Sequence, residues 1–290
     1  PIKSSAASDV YKRQEINFYM DWIYGKTVLI TGASSGLGRA LSVHLIKEQN
    51  CKVIGIGQSE KKMESLKEEL TYLRDEFEYR IFDVSMEENW KMFADELLAE
   101  DKRVDLLINN AGMLPPFEKV VNYTEEQVRE CMDVNFHGCR YAVNYMLPIL
   151  RKSTMAGIVN ISSSDALAAI IGTGIYSASK AALKAYTEVL IAELGREMYI
   201  SYVCPGFIRT EIFRNQYVIS ESRLIKMAST KVDKVARKIV KKIAKQKARI
   251  IVGKDAKFMN FTSKFFPVLG LKLYEQLIKH SKVEMFENLR

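Results

Sequence analysis

Paired cysteines, prolines and histidines are scarce. The 290 residues include 4 Cys, 6 Pro and 3 His. Cys51, Cys131, Cys139 and Cys204 stand far apart and form no C-x-x-C pair. Neither a zinc cage nor a disulfide framework is indicated, and reduced thiols in a cytoplasmic protein are expected. No apolar stretch reaches the roughly 20 residues that span a bilayer. No apolar run followed by a small-residue cleavage site opens the chain, so no signal peptide is expected. Internal repeats and low-complexity linkers are lacking too, which speaks against solenoids and tethered modules.

What is present suffices for one large core, since 48% of the residues are hydrophobic. The formal charge of +8 is uneven. Eleven Lys and Arg lie between Lys231 and Lys257 against Asp233 and Asp255. That makes a basic patch rather than a field suited to nucleic acid, and no nucleic-acid partner is expected. Ser4–Gln14 reads SSAASDVYKRQ, the in-frame translation of a transposase adapter used in shotgun sequencing. Residues 1–14 are therefore set aside from the fold, with Met20 the expected native start.

Short β-branched runs alternate with helical patterns, which predicts an α/β, doubly wound parallel sheet of about seven strands in a single domain. The expected strands are Thr27–Thr31, Lys52–Gly57, Tyr79–Phe82, Val104–Asn109, Gly157–Ser162, Ile200–Cys204 and Arg249–Val252. Their runs VLI, VIGI, LLI and IVNI are almost continuously apolar, as strands covered on both faces should be. Helices are expected over Gly36–Gln49, Glu60–Leu73, Glu87–Glu100, Glu125–Leu150, Tyr176–Glu197 and Lys231–Gln246. A ligand would then bind at the carboxyl ends of the strands. His44, His137 and Cys139 read as packing residues, and no metal site is expected.

Thr31–Gly38 reads TGASSGLG, directly between the strand KTVLI and the helix RALSVHLIKE. Such a junction suits a dinucleotide pyrophosphate, because glycines admit the phosphates and the helix start offers free N–H groups. No Gly-Lys-Ser/Thr ends the loop, so it is not a Walker loop. The second expected strand ends in GIGQSEKK, with Gly57 and Gln58 where an acid would grip the ribose of NAD. NADP(H) is therefore expected over NAD(H), with Arg39, Lys61 and Lys62 as sources of positive charge. Tyr176 and Lys180 lie one helical turn apart on one face. A tyrosine titrates ordinarily near 10, and a neighbouring ammonium is expected to lower that.

These motifs, in this order, resemble the short-chain dehydrogenase/reductase family, in its branch of about 250 residues, over Tyr24 to Gly253. Gly32, Ser34, Ser35, Gly36, Leu37 and Gly38 match its cofactor loop, with Gln58 at the ribose. Asp83 and Val84 match the pair at the adenine, and Asn110, Ala111 and Gly112 the NNAG stretch that begins at Asn109. Asn135, Ser163, Tyr176 and Lys180 match its catalytic tetrad, with Ser163 thirteen residues before Tyr176. Pro205, Gly206, Ile208 and Thr210 match the loop around the nicotinamide. The resemblance implies that Tyr176 exchanges a proton with the substrate oxygen. Lys180 would depress the tyrosine pKa and hold the nicotinamide ribose, Ser163 would hydrogen-bond the substrate, and Asn135 would position a water. Strand alternation points Ser162 and Ser164 away from this site.

The expected organisation is a Rossmann-type oxidoreductase domain over 20–254, with a substrate lid at 207–227, and an aromatic C-terminal extension over 255–290. Leu114, Pro115, Pro116, Phe117 and the segment Ala166–Ile171 are expected as apolar pocket walls. These features predict a hydride transfer between NADP(H) and a lipophilic ketone or secondary alcohol, such as a hydroxysteroid. The alternatives are a 3-oxoacyl-carrier-protein reductase, whose acidic partner would dock on the basic helix, and a non-catalytic cofactor sensor. The extension would cap the pocket, pack on a partner subunit, lie in a membrane interface or be partly disordered. Family likeness implies a homodimer or homotetramer built on the helices that carry Asn135 and Tyr176.

Overall fold

A computed structural model of the chain describes residues 21–208, 230–280 and 289. Seven parallel strands form one sheet in the order β3-β2-β1-β4-β5-β6-β7. They are β1 (Thr27–Thr31), β2 (Lys52–Gly57), β3 (Phe77–Ile81), β4 (Leu106–Asn109), β5 (Gly157–Ile161), β6 (Tyr199–Pro205) and β7 (Arg249–Val252). The helices are α1 (Gly36–Gln49), α2 (Glu60–Glu69), α3 (Glu87–Ala99), α4 (Glu125–Met132), α5 (Gly138–Leu150), α6 (Gly174–Leu194), α7 (Val232–Ala244), α8 (Lys254–Phe265) and α9 (Pro267–Lys279).

The continuous apolar runs are explained by a core on each face. On β1, Val28 and Ile30 join Leu41, Leu45, Val235, Ile239 and Ile243 of α1 and α7. Leu29, pointing the other way, joins Trp90, Phe93, Met146, Ile149 and Leu190 of α3, α5 and α6. The lysine-rich pattern of α7 is the solvent side of this packing, because its Val235, Ala236, Ile239, Val240 and Ile243 are buried. His44 links α1 to α7, with one ring nitrogen 2.9 Å from Glu48 Oε1 and the other 2.8 Å from Asp233 Oδ1.

Besides shifts of a few residues at other element ends, three differences from the sequence expectation have causes in the packing. The helix expected to Leu73 ends at Glu69, and a 3₁₀ turn follows over Thr71–Glu76. The buried positions Met63, Leu66 and Leu70 stop there, while Tyr72 is exposed. The next strand begins at Phe77 instead of Tyr79, because the Phe77 ring lies over Gly55, where a Cβ would come within 2.9 Å of it. The single helix expected over Glu125–Leu150 contains a π-helical turn at Asp133–His137. Its start is fixed by a capping box, in which Gln127 N–H donates to Thr124 Oγ1 and Thr124 N–H to Gln127 Oε1.

The strand order reverses between β1 and β4, so the connections leave the carboxyl edge in opposite directions there and open a crevice. Among the described residues no helix is long and apolar enough to cross a membrane.

Candidate active site

The crevice is a cleft of ≈ 1280 Å³ whose floor is the TGASSGLG turn. Gly32 and Gly36 have φ of +67° and +53°, a region that glycine enters without penalty. Gly38 lies behind the turn, where a Cβ would stand 2.2 Å from the Gly32 oxygen and 2.5 Å from Asn110 Nδ2. The Asn110 amide also donates to Thr31 O at 2.9 Å, and the N–H groups of Asn110 and Ala111 share Thr31 Oγ1. The NNAG stretch thus braces the turn from β4. Ser34, Ser35, Gly36 and Leu37 face the cleft at the start of α1, where unpaired N–H groups and the helix dipole favour an anion.

Further along the wall lie Gln58, Asp83, Val84, Asn110, Ala111 and Gly112. Asp83 is held by the N–H and hydroxyl of Ser85, at 2.9 and 2.7 Å. Lys62 lines the cleft as well. Arg39 does not, because its guanidinium is taken up by Glu69 and by the carbonyls of Lys62 and Ser65. Pro205, Gly206 and Ile208 close the far end. Thr210 and most of the expected lid at 207–227 lie outside the described residues.

The four tetrad positions converge beside that end. Ser163 follows β5 and caps a 3₁₀ turn over Ser164–Ala166, with its Oγ accepting from Asp165 N–H at 3.1 Å. β5 stops at Ile161, so alternation does not govern Ser162–Ser164. Ser162 donates to Lys180 O at 2.8 Å, yet both Ser162 and Ser164 line the cleft, against the expectation that they turn away. Tyr176 and Lys180 lie in the first two turns of α6. Ser163 hydrogen-bonds the Tyr176 hydroxyl, and the Lys180 ammonium donates to Ile161 O at 3.1 Å.

Asn135 sits in the π turn and is fully buried. Its Oδ1 accepts from Met113 N–H, and its Nδ2 donates to Met113 O and to Ser179 Oγ, each at 2.9 Å. Asn135 Oδ1 and Lys180 Nζ each lie 3.1 Å from where a Cβ on Gly112 would stand. That glycine lets the two polar ends approach across the backbone.

The electrostatics depart from the expected pairing. Burial holds the Tyr176 phenol above its ordinary value, the Asp165 carboxylate adds to that, and the Ser163 hydrogen bond opposes it. Lys180 is pulled below its ordinary value by burial, against the pull of Cys139, Cys131 and Cys204. Its ammonium is 5.9 Å from the centre of the Tyr176 ring. In the protein alone, desolvation outweighs the attraction that the Y-x-x-x-K spacing suggests.

A profile of the short chain dehydrogenase family matches residues 26–218. The chain belongs to the short-chain dehydrogenase/reductase family. Among its relatives is 11-beta-hydroxysteroid dehydrogenase 1A of Arabidopsis thaliana, 34% identical over 209 residues. That match covers 70% of this chain and 58% of the relative, so the chain spans somewhat more than half the length of that plant protein. A short-chain dehydrogenase from Streptomyces avermitilis superimposes with a TM-score of 0.72 at 26% identity, covering 88% of this chain and 98% of the other. One from Burkholderia cenocepacia, solved with NADP, has a TM-score of 0.73 at 24% identity, covering 87% and 98%.

For a member of this family, two carboxylates near the site are notable, and sequence reasoning missed both. Asp165 lines the cleft beside Ser163 and Tyr176 and is 7% exposed. Burial pushes its carboxyl up to about 6, with Thr173, Ser164 and Ser163 pulling down and Asp255 pushing up. The motif SDALAAII looked apolar, and nothing in it marked Asp165 as buried. Asp255, the other carboxylate, starts the tail. The apolar walls are also redistributed. Leu114 and Phe117 line the cleft, as do Phe207 and Thr173, but Pro115, Pro116 and Ala166–Ile171 do not. Ala168 and Ile170 instead pack with Met259 and Tyr274 of α8 and α9, joined by Ile171, Phe207 and Ile278. His137 and Cys139 stay out of the cleft; the His137 ring meets Phe136 edge-on and lies tilted near Tyr141.

Proposed function

We propose that the chain is an NADP(H)-dependent oxidoreductase that interconverts a lipophilic ketone and its secondary alcohol. The observation that carries this reading is that Tyr176 and Lys180 line the same cleft whose floor is the glycine turn, with Ser163 hydrogen-bonded to Tyr176. The cleft fits a dinucleotide, since the glycines leave the backbone bare where a phosphate would rest. A bound nicotinamide supplies or accepts the hydride.

The chain's own residues do the rest. Tyr176, half-buried on the cleft wall and with its pKa raised, is protonated at neutral pH, the form that gives a proton to a carbonyl oxygen. Ser163 holds that oxygen beside it. Lys180 places a buried charge behind the tyrosine, and Asn135 fixes Met113 and hence the wall facing it. Gln58 in place of an acid, with Lys62 nearby on the wall, supports the 2′-phosphate of NADP(H) over the bare ribose of NAD(H). Leu114, Phe117 and Phe207 give the substrate end apolar surface. The name of the Arabidopsis relative points to the same substrate class. A homo-oligomer through the helices carrying Asn135 and Tyr176 belongs to this reading.

The test is oxidation of NADPH and NADH, side by side, over steroid, retinoid, short aliphatic and acyl-thioester ketones. Turnover of a lipophilic ketone with NADPH, lost in Tyr176→Phe, is expected. Turnover of carrier-linked thioesters alone would replace the substrate class. Failure to bind either dinucleotide would overturn the whole reading.

A further inference from the structure

Chain direction reverses sharply between β7 and α8. Gly253 makes the turn with φ of +122°, and Asp255 lands in the first turn of α8. The carboxylate is thereby aimed at the loop leaving the neighbouring strand. Its Oδ2 accepts from Phe207 N–H at 2.5 Å. A Cβ on Gly206 would stand 2.1 Å from that same oxygen, and one on Gly253 2.3 Å from Oδ1. Two glycines on two different strand ends therefore leave the space that one carboxylate fills. The ladder carries the same attachment inward, since Pro205 pairs with Val252 and Gly206 N–H donates to Val252 O at 2.8 Å.

α8 is itself anchored, because Met259 is buried against Ala168 and Ile170. It also packs on the 3₁₀ turn that carries Asp165. Gly206 and Ile208, on either side of the amide that Asp255 holds, both line the cleft.

We propose that Asp255 is a positioning residue: its carboxylate fixes the Gly206–Ile208 loop in the conformation that receives the nicotinamide half of the cofactor. The inference rests on the cofactor reading above. A charge-assisted bond to a backbone N–H is stronger than a neutral one and holds a single geometry. Phe207 belongs at once to the loop and to the tail's apolar cluster, so loop and tail share one packed contact. A residue beyond the Tyr24–Gly253 stretch that resembles the family thus completes its cofactor site.

The experiment measures NADPH and 2′,5′-ADP binding by calorimetry for the full chain, Asp255→Ala and Asp255→Asn. The fragment 2′,5′-ADP lacks the nicotinamide half and reports the adenine end alone. Asp255→Ala is expected to weaken NADPH on the order of tenfold while 2′,5′-ADP is unchanged, with Asp255→Asn in between because its amide oxygen still accepts (tenfold is about 1.4 kcal/mol). Hydrogen exchange at the Phe207 amide should rise in the same order. NADPH binding unaffected by Asp255→Ala would overturn the proposal. So would equal losses for both ligands, which mean general damage. If Asp255→Ala does not fold, Asp255→Asn decides by the same ratio. A wild-type chain that binds neither ligand would sink the cofactor reading and this inference with it, whereas wild-type binding with an unchanged ratio in the variants would sink the inference alone.

Discussion

Asp165→Asn should make the protein more stable at neutral pH and above, but not near pH 4. The carboxyl is 7% exposed, and burial raises it from 3.8 to about 6. A shift of about two units corresponds to roughly 3 kcal/mol at about 1.4 kcal/mol per unit. The sign follows from proton counting. Between the unfolded and folded values the native state binds more protons, so stability falls as pH rises from about 4 to about 6. Above about pH 7 the full cost of a buried charge is in place, and below about pH 4 none of it is. Asparagine carries no charge at any pH and keeps the shape, so it removes this cost alone. The gain at pH 7.5 should reach about 3 kcal/mol, or roughly 6–12 °C in Tm for a chain of this size. Urea unfolding of the cofactor-free protein near pH 4, 6 and 7.5 measures it. A difference between variant and wild type that does not change with pH would refute the reasoning. So would a variant less stable at pH 7.5, which would mean that the hydrogen bonds from Ser164 and Thr173 outweigh desolvation. Because the Asp165 charge also raises Tyr176, the pH midpoint for alcohol oxidation should fall in the variant.

Tyr176→Phe should cut turnover by about 10² to 10⁴ while dinucleotide affinity, read by fluorescence titration, stays as in wild type. Gly38→Ala places a Cβ 2.2 Å from the Gly32 oxygen; it should cost about 1–3 kcal/mol in urea unfolding and abolish dinucleotide binding. Gln58→Asp should move the ratio of NADPH to NADH affinity by about tenfold or more toward NADH, as a carboxylate meets the 2′-phosphate. An unchanged ratio would place the phosphate elsewhere.

The strands β1, β2 and β7 end where their apolar runs end, because a strand buried on both faces leaves an unbroken signal. The glycine turn and the Tyr176–Lys180 pair were legible for a related reason: local chemistry demands fixed residues at fixed spacing. Other features depended on contacts far away in sequence. Phe77 becomes strand because of Gly55, on the neighbouring strand. The π turn at Asn135 carries no pattern that periodicity could reveal. Arg39 looked free to meet a phosphate, but Glu69 on the next helix claims it. Nothing in the sequence singled out Asp165 or Asp255 until α8 packs on the turn carrying the one and the loop after β6 meets the other. Ala168 and Ile170 were read as pocket wall, yet what they face is the tail instead of the cleft.

Among the described residues, the first strand in the chain lies in the middle of the sheet. β1 pairs with β2 on one side, and its other edge stays open until Leu106–Asn109 has been synthesised. Ribosomal synthesis therefore exposes an apolar, unpaired edge for the time needed to make three more helices' worth of chain, which is the period of greatest risk of wrong pairing. β7, at the sheet's end, is the last of the described strands to be made and pairs with β6 up to Pro205 at the cleft. A nascent chain would thus hold a finished glycine turn long before it holds a finished pocket, and under the proposed function would gain dinucleotide affinity only once β7 has been made. A cofactor analogue tethered to a bead would consequently separate completed molecules from arrested ones.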